Sequence, residues 1–318
     1  MSVLYLSEEE VGWLLDMDAA IDSLELAFRD WTRGLAENQP RRRVSSLNTT
    51  LHVLSGGSEG LGYLACKAYV TTRRGAQFLV WLYDATAGEL VAVMEANLLG
   101  QIRTGAATGL ATKLMARTDA TCVGCFGSGF QARSQLKAVC RVRQIEQVTV
   151  YSRNPDRSRA FADEMTEYCG VTVRPAHSPE EAAREQDIII TATTSRTPVF
   201  EGRMIDEGTH LNVMGSNHAS RVEIDAATIA RADHVVCDDI EACQLESGEL
   251  IAAVENGQFE WARARQLRDV LCGEETGRAT AADITLFKSV GLGLQDAAVA
   301  AHVYGRAMAE GVGQPLPF

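Results

Sequence analysis

The stretch Ala120-Thr-Cys-Val-Gly-Cys-Phe-Gly-Ser-Gly-Phe-Gln-Ala-Arg133 constrains the fold more tightly than any other. It reads as a short buried strand from Thr121 to Phe126, a glycine turn, and a helix opening near Phe130. Within it, Gly127-x-Gly129-x-x-Ala132 matches the G-x-G-x-x-G/A fingerprint of a dinucleotide-binding βαβ unit. Gly127 permits the tight turn, Gly129 lets the backbone approach a pyrophosphate, and Ala132 lets the helix lie close on the sheet. The residues opening the helix, Ser128, Phe130 and Gln131, place free N–H groups and a positive dipole end toward the phosphates. Taken alone, the motif also fits an ordinary strand–helix turn, so its surroundings decide.

Those surroundings alternate strand and helix from Thr121 to about Val290. Strands are predicted at 147–152, 171–174, 187–192, 210–214 and 234–237, with helices at 156–168 and 179–185 between the earlier ones. Asp187-Ile-Ile-Ile-Thr-Ala192 has the apolar run of a parallel strand buried on both faces. This is the context a dinucleotide fingerprint needs, and it predicts a doubly wound α/β domain.

After the second strand of such a domain, an acidic residue usually bonds the ribose 2′-hydroxyl of NAD. Here Ser152 holds that place, followed by Arg153 and Asn154. A neutral residue with an arginine suits a 2′-phosphate, so NADP(H) is favoured over NAD(H). If Arg153 and Arg157 only form a solvated turn, either cofactor fits.

The first hundred residues follow another pattern. Ser7-Glu-Glu-Glu10 is a capping box, and Ile21, Leu24, Phe28 and Trp31 mark one face of a second helix. Strands are then predicted at 43–47, 50–54, 63–71, 78–84 and 90–95, separated by turns at Ser55-Gly-Gly-Ser58, Arg73-Arg-Gly75 and Asp84–Gly88. The result is a mostly antiparallel α+β layer. A helical stretch from Asn97 to Met115 carries Gly105, Ala106, Ala107 and Gly109, although glycine costs a helix roughly 1 kcal/mol against alanine. Such small residues fit either a close ligand or backbone, or tight helix packing. Past Cys237 the chain is helical and acidic at 238–246, and a final apolar helix from Leu292 to Met308 is a candidate to return to the first domain.

The chain has 318 residues, enough for two cores, with a net charge of −12 that argues against non-specific nucleic-acid binding. No apolar run approaches the roughly 18–20 residues of a membrane helix, and the N-terminus lacks signal-peptide character. Eight scattered cysteines fit free thiols in a reducing cytoplasm. Cys122-x-x-Cys125 lies along the predicted strand without a second pair at zinc spacing, so it reads as core, and no metal is expected.

Several further motifs occur in order: Lys67-Ala-Tyr-Val, Asp84-Ala-x-x-Gly-Glu-Leu, Gln101-Ile-Arg-Thr-Gly-Ala-Ala, the Gly127 loop, Thr191-Ala-Thr-Thr-Ser195 with Pro198-Val-Phe, Asn212-Val-Met-Gly-Ser-Asn217, and Ile284-Thr-Leu-Phe-Lys-Ser-Val-Gly-Leu. Together they resemble the ornithine cyclodeaminase/mu-crystallin family over almost the whole chain. The resemblance implies an α/β protein with a Rossmann dinucleotide-binding domain (118–293) and an α+β substrate-binding and dimerisation domain (1–117 with 294–318). It implies a homodimer, NAD(P), and hydride chemistry at the α-carbon of a small amino or imino acid.

Carried over by position, the family's active-site lysine matches Lys67 and its substrate arginine matches Arg103. A second carboxylate-binding arginine is expected within Arg41-Arg42-Arg43. Strand alternation puts Arg41 and Arg43 on one face and Arg42 on the other, and Arg42 and Arg43 are taken as candidates with His52. Beyond the glycine loop, the motifs imply cofactor contacts from Ala192, Thr193, Thr194, Met214, Gly215, Ser289 and Val290.

Two departures from the family pattern matter. The cyclodeaminase aspartate position is held by Asn217, which cannot act as a general base. The cyclodeaminase glutamate that meets the basic end of ornithine aligns, across a gap, near His52. Losing both carboxylates removes the partners of a cationic diamino substrate. The expectation is therefore an oxidoreductase acting on CH–NH or CH–NH2 groups. It would reduce a small α-imino acid, such as a cyclic ketimine or iminosuccinate, or act as an amino-acid dehydrogenase. A true cyclodeaminase, a crystallin-like NADPH- and ligand-binding protein, and a nucleotide-sensing regulator remain alternatives.

Overall fold

A computed structural model of the chain describes residues 2–72 and 75–317. Arg73 and Arg74, expected to form a turn with Gly75, lie outside the described residues. The chain falls into two compact units, Met1–Ala106 with Gly291–Phe318, and Ala107–Val290.

The first unit opens with β1 (Leu4–Leu6), α1 (Glu8–Leu14) and α2 (Met17–Thr32). The capping box forms: Glu10 Oε2 accepts from the Ser7 N–H at 2.8 Å, and Ser7 Oγ accepts from the Glu10 N–H at 3.4 Å. On α2, Ile21, Leu24 and Phe28 are buried and Trp31 is half-buried, the face the apolar spacing predicts. Then come β2 (Ala36–Ser46), β3 (Thr49–Ser58), β4 (Tyr63–Thr72), β5 (Gly75–Asp84) and β6 (Leu90–Glu95), each antiparallel to the next. α3 (Asn97–Met115) follows and crosses from the first unit into the second. Its Gly105, Ala106, Ala107 and Gly109 are all buried.

Two expectations fail here. β2 starts at Ala36 rather than Arg43, and Ser55-Gly-Gly-Ser58 is strand rather than turn, paired on both sides with β2 and β4. The glycines serve close approach instead. A Cβ on Gly56 would stand 2.4 Å from the Leu294 backbone nitrogen, and one on Gly293 would stand 2.5 Å from the Ser55 backbone. Without those side chains a helix N-terminus can rest directly on the sheet.

The second unit runs through β7 (Cys122–Phe126), α4 (Phe130–Val142), β8 (Gln147–Tyr151), α5 (Pro155–Cys169), β9 (Thr172–Pro175), α6 (Pro179–Ala183) and β10 (Ile188–Thr191). It continues with β11 (His210–Val213), α7 (Ala226–Arg231), β12 (His234–Cys237), α8 (Ile240–Glu246) and α9 (Gly248–Glu255). β13 (Ala264–Gln266), α10 (Leu267–Cys272) and β14 (Thr285–Lys288) complete it. The sheet is parallel throughout, in the order β13-β12-β14-β11-β10-β7-β8-β9. This is a Rossmann-type doubly wound sheet whose strand order reverses beside β7. Its core joins Val123 and Cys125 of β7 to Leu136 and Val139 of α4, Val148 and Val150 of β8, Phe161 and Met165 of α5, and Ile188 and Ile190 of β10. The Cys122-x-x-Cys125 pair thus belongs to a strand, and burial pushes the Cys125 thiol up to about 12. β14 was not foreseen, because Thr285-Leu-Phe-Lys288 reads as the lead-in to a helix; it inserts between β11 and β12.

The chain then returns to the first unit as α11 (Gly293–Glu310), packed on β3, β4 and α2, and β15 (Gln314–Pro315), antiparallel to β1. The first sheet reads β15-β1-β6-β5-β4-β3-β2. Among the described residues, no helix is long and apolar enough to cross a membrane, and no group of three or more His, Cys, Asp or Glu side chains could hold a metal.

Candidate active site

At the carboxyl ends of β7, β8 and β10, where the strand order reverses, the second unit has a cavity of 490 Å³. Gly127, Ser128 and Gly129 form one wall, Ser152, Arg153, Asn154 and Arg157 a second, and Ala192, Thr193 and Thr194 a third. Gly127 has φ +108°, and a Cβ there would stand 2.4 Å from the Ala192 carbonyl oxygen, so both conformation and space demand glycine. Gly129 caps α4 with no side-chain bond, and a Cβ on it would meet nothing within 4 Å. Its side of the turn is open toward the cavity, and the first N–H groups of α4 are available to a phosphate. Ala132 is fully buried. These features fit a dinucleotide. None of the residues lining the cavity is acidic.

Phe130 and Gln131, predicted with this loop, sit on the first turn of α4 but do not line the cavity, and Phe130 is exposed. Met214, Gly215, Ser289 and Val290 also lie outside its walls, at the ends of β11 and β14. Two buried carboxylates that sequence reasoning did not assign organise those ends. Glu223 Oε1 accepts from the Thr193 N–H at 2.6 Å and from Thr193 Oγ1 at 2.7 Å. Its Oε2 accepts from the Gly215 N–H at 2.7 Å and Thr191 Oγ1 at 3.0 Å, tying the loops after β10 and β11 together. Burial pushes the Glu223 carboxyl up. Asp238 Oδ2 likewise accepts from Ser289 Oγ at 2.6 Å and the Val290 N–H at 3.0 Å. Asn217 is half-buried in the loop after β11, next to Ser216, whose carbonyl accepts from the buried Lys288 Nζ at 3.0 Å.

In the first unit the fold gathers Lys67, Arg103 and Arg41, all less than a tenth exposed. One oxygen of the fully buried Asp296, Oδ1, accepts from Lys67 Nζ at 3.0 Å and from Arg103 Nε at 2.9 Å. Gln295 Oε1 accepts from Arg103 Nη1 at 3.0 Å, and the Gly291 carbonyl accepts from Arg41 Nη2 at 3.2 Å. Small residues make room: a Cβ on Gly100 would stand 3.0 Å from Lys67 Nζ, and one on Gly291 would stand 2.6 Å from Arg103 Nη1.

Burial lowers the Lys67 ammonium to about 8, aided by Arg103 and Arg41 and opposed by Asp296. Burial by itself would raise the Asp296 carboxyl, but the Arg103 and Lys67 charges outweigh it and hold it below the ordinary carboxylate range. With Lys67 and Arg103 on the one carboxylate and Arg41 close to Lys67, the cluster keeps a positive field suited to an anionic substrate group.

The arginine run sorts itself differently from the expectation. Arg42 is exposed, while Arg41 is the arginine close enough to depress the Lys67 pKa. The pairing of β2 with β3 shifts between Gln39 and Arg42, and alternation then turns Arg42 away from the face that Arg41 occupies. Arg43 and His52 belong to a neighbouring cross-strand row with Tyr69 and Phe78. The His52 ring stacks on Tyr69 at 4.3 Å, and Tyr69 meets Phe78 at 4.6 Å. His52 Nδ1 accepts from Arg43 Nε at 3.2 Å, which leaves the ring proton on Nε2, 3.0 Å from Thr71 Oγ1. Lys67 Nζ stands 5.5 Å from the Phe78 ring centre, so this row borders the cation cluster.

Comparison with known proteins gives this geometry its setting. The model of the ornithine cyclodeaminase/mu-crystallin family matches residues 2–311. A Δ1-pyrroline-2-carboxylate reductase from Bacillus cereus is 34% identical, covering 99% of this chain and 100% of that protein. The solved structure of Thermococcus litoralis Δ1-pyrroline-2-carboxylate reductase with NADH and L-proline superposes with a TM-score of 0.95 at 34% identity, over 99% of this chain and 100% of that one. An archaeal alanine dehydrogenase dimer with bound NAD superposes with a TM-score of 0.94 at 32% identity, over the full length of both chains. With a family match across nearly its whole length, the chain belongs to the ornithine cyclodeaminase/mu-crystallin family.

Proposed function

We propose that this protein is an NAD(P)H-dependent reductase of small α-imino acids, forming an L-amino acid by hydride transfer to the imine carbon. The observation that carries this reading is the buried cluster in which Asp296 joins Lys67 and Arg103, with Arg41 close by Lys67; the family resemblance adds that Asn217 and, across a gap, His52 align with cyclodeaminase carboxylates. Arg103 holds the substrate α-carboxylate and Arg41 adds to the field that draws it in. Lys67, lowered to about 8, keeps the imine nitrogen protonated or returns a proton to it. Asp296 positions Lys67 and Arg103 from behind through its shared oxygen. A protonated imine is already electrophilic, so no general base is needed at Asn217. When bound, the reduced nicotinamide supplies the hydride.

The Arg43–His52–Tyr69–Phe78 row borders Lys67 and meets the substrate side chain. The cofactor is NADP(H) in preference to NAD(H), because Ser152 and Arg153 line the cavity without an acidic neighbour. The protein acts as a homodimer joined through its first unit. There Trp13, Val44, Leu47 and Leu64 are more than half exposed, which fits a covered surface.

Purified protein offered Δ1-pyrroline-2-carboxylate, iminosuccinate, pyruvate with ammonia, and glyoxylate with methylamine should consume reduced nicotinamide with at least one of them. No consumption across the panel overturns the proposal. Ornithine turned over to proline and ammonia without net cofactor change points to the cyclodeaminase instead. Cofactor binding without any turnover points to a crystallin-like binder.

A further inference from the structure

Arg133, four residues past the N-cap of α4, curls back over the glycine turn. Its Nη1 donates to the Gly129 carbonyl at 3.0 Å and to the Ser128 carbonyl at 3.4 Å. Its Nε donates to both carboxylate oxygens of Glu164 on α5, at 2.8 and 2.9 Å, and its Nη2 donates to one of them at 2.5 Å. The guanidinium carbon also stands 5.5 Å from the centre of the buried Phe161 ring. Neither Arg133 nor Glu164 lines the cofactor cavity.

This arrangement does little for the helix itself. A helix N-terminus carries partial positive charge, which an arginine opposes, and no acidic residue stands in the first turn of α4. A serine or aspartate N-cap would hold the turn by accepting from the N–H groups that a phosphate uses. Gly129 makes no side-chain bond of that kind, and Arg133 grips the turn by its carbonyls instead. In a planar trans peptide the carbonyl and the N–H that follows it point in opposite directions, so fixing the Ser128 carbonyl also fixes the Gly129 N–H. Without such a grip, a turn bounded by Gly127 and Gly129 has wide backbone freedom.

We propose that Arg133 is a positioning residue for cofactor binding: it holds the peptide planes of the glycine turn with their N–H side toward the pyrophosphate, and Glu164 holds Arg133. The inference rests on the reading of the cavity as a nicotinamide-dinucleotide site and is independent of which imine is reduced. The pyrophosphate is common to both cofactors, so losing Arg133 weakens NADPH and NADH by the same factor, unlike a loss at the 2′-phosphate.

The test titrates NADPH and NADH by fluorescence into wild type, Arg133→Met, Arg133→Lys, Glu164→Gln and the Arg133→Met/Glu164→Gln double variant. It also follows amide hydrogen exchange of segment 127–131 in the cofactor-free proteins. In Arg133→Met both Kd values should rise about tenfold, the cost of a turn no longer preorganised, and exchange in the segment should quicken several-fold. Arg133→Lys keeps the charge but lacks the planar fork that reaches carbonyls and carboxylate together, so it should bind like Arg133→Met. Glu164→Gln should raise both Kd values roughly two- to fivefold, and should add nothing in the double variant. Thermal melts check folding, and if Arg133→Met does not fold, the exposed Glu164→Gln position decides on the same two readouts. Full affinity in Arg133→Lys assigns a direct charge contact with the pyrophosphate and overturns the proposal, as do unchanged Kd and exchange in Arg133→Met. Wild type that binds neither cofactor overturns the cavity reading and the proposal with it, whereas wild-type binding that Arg133→Met leaves intact overturns the proposal alone.

Discussion

Lys67 and Asp296 stand 229 positions apart in the chain and 3.0 Å apart in the fold, joined at the same carboxylate oxygen that holds Arg103. Removing that carboxylate leaves buried cations facing one another. Asp296→Asn is expected to destabilise the protein by about 3 kcal/mol, the cost of leaving buried charge uncompensated. Urea denaturation at neutral pH measures this. The kcat/KM for imine reduction should fall roughly 10²-fold, as when a positioned acid loses its alignment.

The pH profile tests Lys67. A lysine at about 8 is protonated below that value, so kcat/KM for imine reduction should hold below pH 8 and decline as pH rises through it. In Asp296→Asn the raising influence of the carboxylate is gone, so the decline should begin at lower pH. Lys67→Met should lose most activity and show no such limb beyond that of the substrate itself. An unchanged limb in Lys67→Met assigns the titration elsewhere.

The two glycines of the cofactor turn should respond differently. Gly127→Ala forces a side chain into a left-handed backbone and against the Ala192 carbonyl, and should cost about 1–3 kcal/mol of stability as well as cofactor binding. Gly129→Ala meets nothing in the protein, so stability should change by less than about 0.5 kcal/mol. Its cofactor Kd should nevertheless rise about tenfold, equivalent to roughly 1.4 kcal/mol, because the methyl group occupies the phosphate side of the turn. Thermal melts and fluorescence titration with NADPH separate the two.

Cofactor choice should turn on Ser152 and Arg153. Arg153→Ala is expected to weaken NADPH by about 1.5–3 kcal/mol, the worth of a hydrogen bond to a charged group, and to leave NADH nearly unchanged. Ser152→Asp should reverse the preference. Equal loss for both cofactors in Arg153→Ala would mean that the side chain meets the shared pyrophosphate.

Asn217 should prove dispensable for proton transfer. Imine reduction by Asn217→Ala is expected to stay within about tenfold of wild type, well short of the 10²–10⁴-fold loss that follows removal of a true acid or base. Steady-state kinetics decides, and a larger loss returns a chemical role to the position.

Much of this protein is written locally. The turn at Gly127–Gly129, the capping box at Ser7–Glu10 and the apolar run of β10 each depend on residues within a few positions of one another, and each formed where the pattern places it. The ordered motifs carried the family as well. Tertiary structure decided what depends on distant partners. Asp296 looks like any helical aspartate until α11 returns to β4 and places it against Lys67. Ser55-Gly-Gly-Ser58 has the composition of a turn, yet it is strand because the start of α11 needs its missing side chains. β14 became a central strand through pairing with β11 and β12, which its own four residues cannot specify. Among the three arginines, a register shift in β2 left Arg42 exposed and put Arg41 beside Lys67. Local propensity acts over a turn or two of chain, whereas charge pairing, close backbone approach and strand register are settled only where remote segments meet.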